Sequence, residues 1–560
     1  MLKSQLINKE SILVPAISSV VLFLVRKITG WDLLYFINLL SIVWLLAAVI
    51  LRMLKNITTT VFTNNRRADI IAAVIILLYG VMMSVMSIAR HEAYSTSMYD
   101  LGNMDQAIWN SSQGKFLEVT SIGPPCLNVS RAINHLEWIY QIFALLYRGI
   151  PDIRVLLIGQ TLFICAGLAG LYFIIKATIQ LPVLRIALLC TVVLYPTLQF
   201  ANLFDFHGDL LAFPFLVWMI YFYDVRQKRL IAALLMIGAL SCKEYVALVL
   251  AFYGIIMIIQ YKDWRWGPAV ICFSTAYFLA ALYWIMPAFN HGNLSEIISA
   301  IYTTKPGTGL HGLLSAIYDD PERYLSVFFS EHSFESLFYL FFPVSFFLWK
   351  YPVFLLPVVP ILTKDLFAGI DIGTHRLALT LPFLFASLVF TMKKMETEDL
   401  VEGKGKSALP FNVLLLVSAT VIASVAYGPS PLGHRFYREM GKYVKDTNDL
   451  ARDSVIAQIP DSFVISVSGV LAPHCTHRRF CYQFPRPFNA QCAGVTPVDV
   501  IALDTSDEES RVENHSGFYM QTIPWIISMG YSQIMEHSGV YLFRRSGSEC
   551  TDSEVQINPD

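Results

Sequence analysis

The chain has 560 residues, of which 55% are apolar and only 15% charged, with a formal net charge of −1. Soluble globular proteins carry about 25% charge, so this composition points to a polytopic membrane protein. It excludes a nucleic-acid binder, which needs a basic footprint, and a disordered chain. The charge is unevenly spread: residues 1–431 hold 56 of the Asp, Glu, Lys and Arg residues, and 432–560 hold 27. The expectation is a membrane domain over 1–431 followed by a polar domain over 432–560, a normal size for one soluble unit.

A spanning helix needs about 20 mostly apolar residues. Apolar runs fall at 9–26, 32–54, 68–88, 153–176, 182–200, 209–224, 228–244, 245–260, 267–287, 335–349, 351–366, 376–392 and 409–428. The reading is therefore an α-helical polytopic membrane protein with about 13 transmembrane helices, the first of them retained rather than cleaved. Residues 136–148 are apolar but too short to span, which fits a helix lying at the interface or re-entering it. If the helices alternate, Lys3, Arg52, Lys55, Arg66, Arg67, Lys176, Arg185, Lys228, Lys262, Lys350 and Lys393 share one side. By the positive-inside rule that side is cytoplasmic. The connections 89–152 and 288–334 and the domain 432–560 then lie outside, in the plasma (cytoplasmic) membrane of a cell. All twelve His residues fall on the same outer side, so the polar chemistry is expected there.

Along the chain, four polar clusters interrupt the apolar runs. HEAYSTSMYDLGNMDQAIW opens the first outer connection and carries Glu92, Tyr99, Asp100 and Asp105. A helix over 101–112 would place Asp100 at its N-cap; the alternative is a general base or a divalent-ion ligand. NLFDFHGDL places Asp205, His207 and Asp209 at the mouth of an apolar hairpin, where such groups are costly unless partnered or functional. A metal or phosphate-facing site would use them; an interfacial turn is the plainer reading. GALSCKEYVAL brings Lys243 and Glu244 to a membrane boundary. Neighbours at i,i+1 do not face each other on a helix, so each needs another partner, and phosphate is a natural one for the ammonium. LTKDLFAGIDIGTHRLAL supplies Lys364, Asp365, Asp371, His375 and Arg376, the last two able to clamp a phosphate. The loop 288–334 adds Thr303, Thr304, Lys305, His311, Arg323, Glu331 and His332 without a metal signature.

In 432–560, SVIAQIPDSFVISVSG reads as helix, turn and strand. VDVIALDT and SGVYLFRR read as further strands, and WIISMGYSQIMEH as helix and strand. That is a small α/β domain. LAPHCTHRRFCYQFP, with His474 and His477, is spaced too tightly for a usual structural zinc site and reads better as a loop docking on the membrane part. Cys475, Cys481, Cys492 and Cys550 allow one or two disulfides, with pairing left open. No phosphate-loop, dinucleotide, zinc-protease or serine-hydrolase motif stands in a supporting context.

MYDLGNMDQAIWNSSQGKF, NHLEWIYQIFALLY, YPTLQFANLFDFHGDLLAFPF, CKEYVAL and LAPHCTHRR together resemble the DUF2079 family of membrane proteins, over about residues 90–545. That family is similar to the GT-C superfamily of glycosyltransferases, which draw sugars from polyprenyl-phosphate donors at the outer face. The resemblance carries to Asp100, Asp105, His135, Asp205, His207, Lys243 and Glu244. It implies a GT-C-like transmembrane domain that transfers a sugar from a polyprenyl-phosphate-linked donor. Asp100 would be the first and Asp105 the second candidate base. His135, His207, Asp209, Lys243, Glu244, His375 and Arg376 would bind substrate or its phosphate. Mg²⁺ or Mn²⁺ at Asp100, Asp205 and His207 is allowed by the donor types but not required. The chain departs from the family pattern at Gly208-Asp209, Tyr99 and Cys475. A transporter or flippase of an anionic lipid, and a non-catalytic assembly protein, are the competing classes.

Overall fold

The computed structural model describes residues 65–123, 128–293, 315, 317–368, 373–402, 409–488, 497–506 and 518–547. The apolar runs 9–26 and 32–54, together with Thr303, Thr304, Lys305, His311, Asp371, Cys492 and Cys550, lie outside them.

Six described helices are long and apolar enough to cross a membrane: Asn65–Glu92, Arg154–Thr178, Gly208–Val225, Trp266–Phe289, His375–Glu398 and Pro410–Tyr427. A seventh is the pair Pro182–Val193 and Pro196–Leu203, bent by 45°. The bend falls where Pro196 removes a backbone donor and starts the second helix. Arg229–Leu240 and Val246–Tyr261 are shorter apolar helices. The two remaining expected spans are not continuous helices. Run 335–349 breaks after Glu331–Phe341 into short tight turns, with Pro343 followed by left-handed Ser345 and Phe346. Run 351–366 begins with a short turn at Pro352–Leu355 before the helix Val358–Ala368.

Glycines let these helices approach closely. A Cβ on Gly167 would lie 2.2 Å from the Phe213 ring, so Arg154–Thr178 meets Gly208–Val225 almost backbone to ring. Gly254 and Gly267 do the same for Val246–Tyr261 and Trp266–Ala280, each Cβ falling 2.9 Å from the other's carbonyl oxygen. The face carrying Ile70, Val74, Leu77, Leu78, Val81 and Val85 is exposed among the described residues. A continuous apolar face of this kind suits lipid, not water.

The connection from Glu92 to Arg154 is folded throughout its described length. A π-helical turn, Met98–Gly102, one of three among the described residues with Tyr221–Val225 and Ala281–Ile285, runs into the helix Asn103–Ser112. A two-residue pairing of β1 (Glu118–Val119) with β2 (Val129–Ser130) follows, and then the helix Tyr140–Tyr147. Near the carboxy terminus a five-stranded sheet has the order β4-β3-β5-β7-β6. Its strands are β3 (Ile465–Val467), β4 (Cys481–Gln483), β5 (Val500–Asp504), β6 (Tyr531–His537) and β7 (Val540–Arg545). β3 runs parallel to β4 and β5, whereas β5–β7 and β6–β7 are antiparallel. The β6–β7 turn is Ser538-Gly539, both at positive φ, the geometry that matches strand twist in a two-residue hairpin. The helix Thr447–Ile456 opens with a reciprocal cap between Asp446 and Asp449.

Candidate functional site

The connection from Glu92 to Arg154, the turn 204–208, the turn 241–245 and the residues Lys364, Asp365, His375 and Arg376 meet at one end of the bundle. They enclose a cavity of about 260 Å³. Asp100, Arg131, His135, His207, Asp209, Lys243, Lys364, Asp365, His375 and Arg376 all line it, with Tyr99 and Tyr245. Four permanent cations therefore share this space with three carboxylates and three imidazoles.

Asp100 projects from the π-helical turn, not from a helix N-cap; the N-cap residue is Ser97, whose hydroxyl donates to Asp100 Oδ2 at 3.2 Å. Asp100 Oδ1 stands 3.5 Å from His207 Nε2. Burial raises the Asp100 pKa above the ordinary carboxylate value, opposed by Ser97 and by the charges of Arg131, Arg376 and Arg90. His207 is pushed down by burial and by the nearby His375 and Lys243, which keeps its imidazole neutral. The His207 and His375 rings stack in parallel with centroids 3.4 Å apart.

Lys243 and Glu244 diverge as i,i+1 neighbours must. Lys243 Nζ donates to Asp209 Oδ2 at 2.7 Å. His375 Nε2 lies 3.6 Å from the same oxygen. Burial would depress the Lys243 pKa, but Asp209, Glu137 and Glu244 outweigh it and hold the ammonium charged. Glu244 accepts from the Leu136 amide at 3.0 Å and lies 2.8 Å from His135 Nδ1, so it braces the cavity wall without lining it. Lys364 pairs with Asp365 at 2.6 Å and lies 5.0 Å from the Tyr245 ring centroid. Arg131 donates to Glu137 at 2.7 Å and to Asn103 at 2.7 Å. Among the described residues Arg376 has no carboxylate in ion-pair contact, although it faces the same cavity.

Besides Glu244, two further expected site residues do not line the cavity. Asp105 is fully buried and does not line the cavity. It accepts from Tyr147 Oη at 2.5 Å and from Thr476 Oγ1, with His477 Nε2 at 3.1 Å. Asp205 also lies behind the wall, accepting from the Leu101 amide at 3.3 Å and 4.0 Å from Arg90. Burial raises its pKa, which the adjacent Arg90 opposes. The expected metal set of Asp100, Asp205 and His207 is therefore not assembled. Among the described residues no three His, Cys, Asp or Glu side chains come together as a metal site.

Arg131 and Glu137 were not singled out from the sequence, because NVSRAINHLEW lacks an apolar run that would make a charge conspicuous. Glu92 pairs at the surface with Arg154 and Lys445. His474, read with His477 as a docking loop, stacks between His91 and Tyr94 at 4.1 and 4.0 Å. Cys475 and Cys481 are both unbonded thiols.

The fold is similar to the crystal structure of ArnT from Cupriavidus metallidurans bound to undecaprenyl phosphate. The TM-score is 0.52 at 10% sequence identity, covering 87% of this chain and 99% of that one. No protein of curated function matches the sequence. The family described as "Predicted membrane protein (DUF2079)" matches residues 90–542. This chain belongs to the DUF2079 family of membrane proteins.

Proposed function

We propose that the protein is a membrane glycosyltransferase that moves a sugar from a polyprenyl-phosphate donor to an acceptor hydroxyl at the outer membrane face. One observation carries the reading: a single cavity holds a partly exposed carboxylate, Asp100, together with Arg131, Lys243, Lys364 and Arg376. A phosphodiester donor needs cations at its phosphate and a base at the incoming hydroxyl, and both are within one small space. The ArnT-like fold supports it, because that neighbour was solved with a polyprenyl phosphate.

In this reading Asp100 accepts the proton of the acceptor hydroxyl as its oxygen attacks the sugar carbon. The bond from that carbon to the phosphate oxygen breaks, and polyprenyl phosphate leaves with the bonding pair. Arg376 meets the phosphate first, because it has no competing carboxylate partner among the described residues. Lys243 and Lys364 stabilise the charge that grows on the leaving oxygen. The membrane part from 1 to 431 would hold the lipid chain, and the carboxy-terminal unit from 432 to 560 would sit outside the cell as an α/β domain.

The test uses purified full-length protein with a radiolabelled polyprenyl-phosphate sugar. Asp100→Asn should abolish sugar release while leaving binding of polyprenyl phosphate intact. Unchanged turnover in that variant would remove Asp100 as the base.

A further inference from the structure

We infer that residues 469–477 of the carboxy-terminal unit grip the turn carrying Asp100 and fix it against the cavity, with Asp105 as the positioning residue through which they act. The inference rests on the reading of Asp100 as the base.

The grip has two ends. Before Asp100, the Met98 amide donates to the Gly469 carbonyl at 3.1 Å. After it, Asp105 takes the Thr476 hydroxyl on Oδ2, and the His477 imidazole reaches both carboxylate oxygens at 3.1 and 3.2 Å. Between them Gly102 faces Pro473, where an added Cβ would touch the proline ring at 3.5 Å. Burial alone would lower the His477 pKa, but the Asp105 carboxylate outweighs it and raises it. The membrane side closes the same turn from behind: Asp205 accepts from the Leu101 amide at 3.3 Å. Tyr147 Oη donates to Asp105 Oδ1 at 2.5 Å.

The gripped element is what gives these contacts a role beyond joining two parts of the fold. A π-helical turn is rare and concentrates at functional sites. Asp100 lies within this one, and the contacts to Gly469, Asp205 and Thr476 fall on either side of it. Further along the same interface, Gln106 Nε2 donates to the Arg479 carbonyl at 3.3 Å and Arg486 Nη1 to the Gly123 carbonyl at 2.9 Å. All of these contacts fall on 98–123, and none touches the lysines and Arg376 that line the phosphate-facing wall. Loss of the grip should therefore displace the base and leave the phosphate cations in place.

Displacing a reacting group by about 1 Å can cost roughly 100-fold in rate. The experiment compares Thr476→Val, Thr476→Ser, His477→Ala and wild type as full-length protein in lipid nanodiscs. Thr476→Val and His477→Ala should lower kcat by about 10- to 100-fold with donor KM within about threefold, and Thr476→Ser should restore kcat. Amide hydrogen exchange over 97–106 should accelerate in the two impaired variants while β5 exchanges as in wild type. Unchanged kcat in both would overturn the inference. So would faster exchange spread through β5, with kcat and KM failing together, because that is loss of fold. Full activity in Thr476→Val beside a dead Asp100→Asn sinks the grip and spares the functional reading; an active Asp100→Asn sinks the reading itself.

Discussion

The two ends of the helical bundle use charge in opposite ways. At the end where Asn65 begins its helix, each of three ion pairs keeps one side chain more than 40% exposed. Lys176 meets Asp69 at 2.7 Å with both side chains more than a third exposed, Lys350 meets Glu398 at 2.7 Å, and Arg229 meets Asp263 at 2.9 Å. Exposed pairs contribute about 0–1 kcal/mol each. At the cavity end the pairs are dry and shared. Arg131–Glu137 and Lys243–Asp209 are almost wholly buried, and Asp209 also faces His375. Burying such ions costs several kcal/mol per charge before their attraction is counted. A stability argument alone does not explain why a fold would keep them. The proposed function, in which the site receives a charged phosphodiester, does.

That contrast can be broken most severely at Asp100. Asp100→Asn should cut transfer by about 10²- to 10⁴-fold, the usual range for removing a general base, measured as initial rate at saturating donor. Next is Lys243→Met, which strands the buried Asp209 carboxylate. It should destabilise by about 3–5 kcal/mol, read as a fall in thermal midpoint, and the double variant with Asp209→Leu should recover much of it. Gly167→Ala drives a methyl into Phe213, and Pro214 Cα lies only 3.3 Å away. Overpacking of this kind costs about 1–3 kcal/mol, visible in the same melting experiment. The smallest effect belongs to the wet end: Lys176→Met should change stability by no more than about 1 kcal/mol.

The pH profile sharpens the comparison further. A carboxylate with a raised pKa loses its proton only at higher pH. If Asp100 is the base, as proposed, it acts in its ionised form, and activity should fall on the acid side as pH drops through that raised value. The acid limb of kcat/KM should lie above the ordinary Asp value of 3.8. A limb at or below it would show that burial does not govern Asp100.

Much of the site was legible because membrane segments make charge conspicuous. Asp100, His207, Asp209, Lys243, His375 and Arg376 each interrupt an apolar run or border one, and the fold brings all of them to one cavity. Arg131 stayed hidden because it lies in an irregular loop already polar in composition. Asp105 was misplaced for a geometric reason. Five positions separate it from Asp100, and the π-helical turn between them changes the rotation per residue, so the two carboxylates leave the segment toward different neighbours. Among the helices, hydropathy identified the long ones. It failed at 335–349 and 351–366, where Pro343, Pro352 and two left-handed residues divide apolar stretches that composition alone counts as spans. The sheet was partly visible, but β4 lay inside the tract read only as a docking loop.

The π-helical turn at Met98–Gly102 also has a consequence in time. Its bond partners include Gly469, and the nearby Asp105 waits for Thr476, which follows it by 371 positions. Ribosomes add about 5–20 residues per second, so the connection from Glu92 to Arg154 emerges many seconds before the segment that completes it. Every membrane helix described here is made before that segment exists. A chain stopped after Tyr427 would carry every described membrane helix and all of the described cavity lining, yet lack the contacts that 469–477 make beside Asp100. The contacts on that turn are therefore completed only after the described membrane helices have been made.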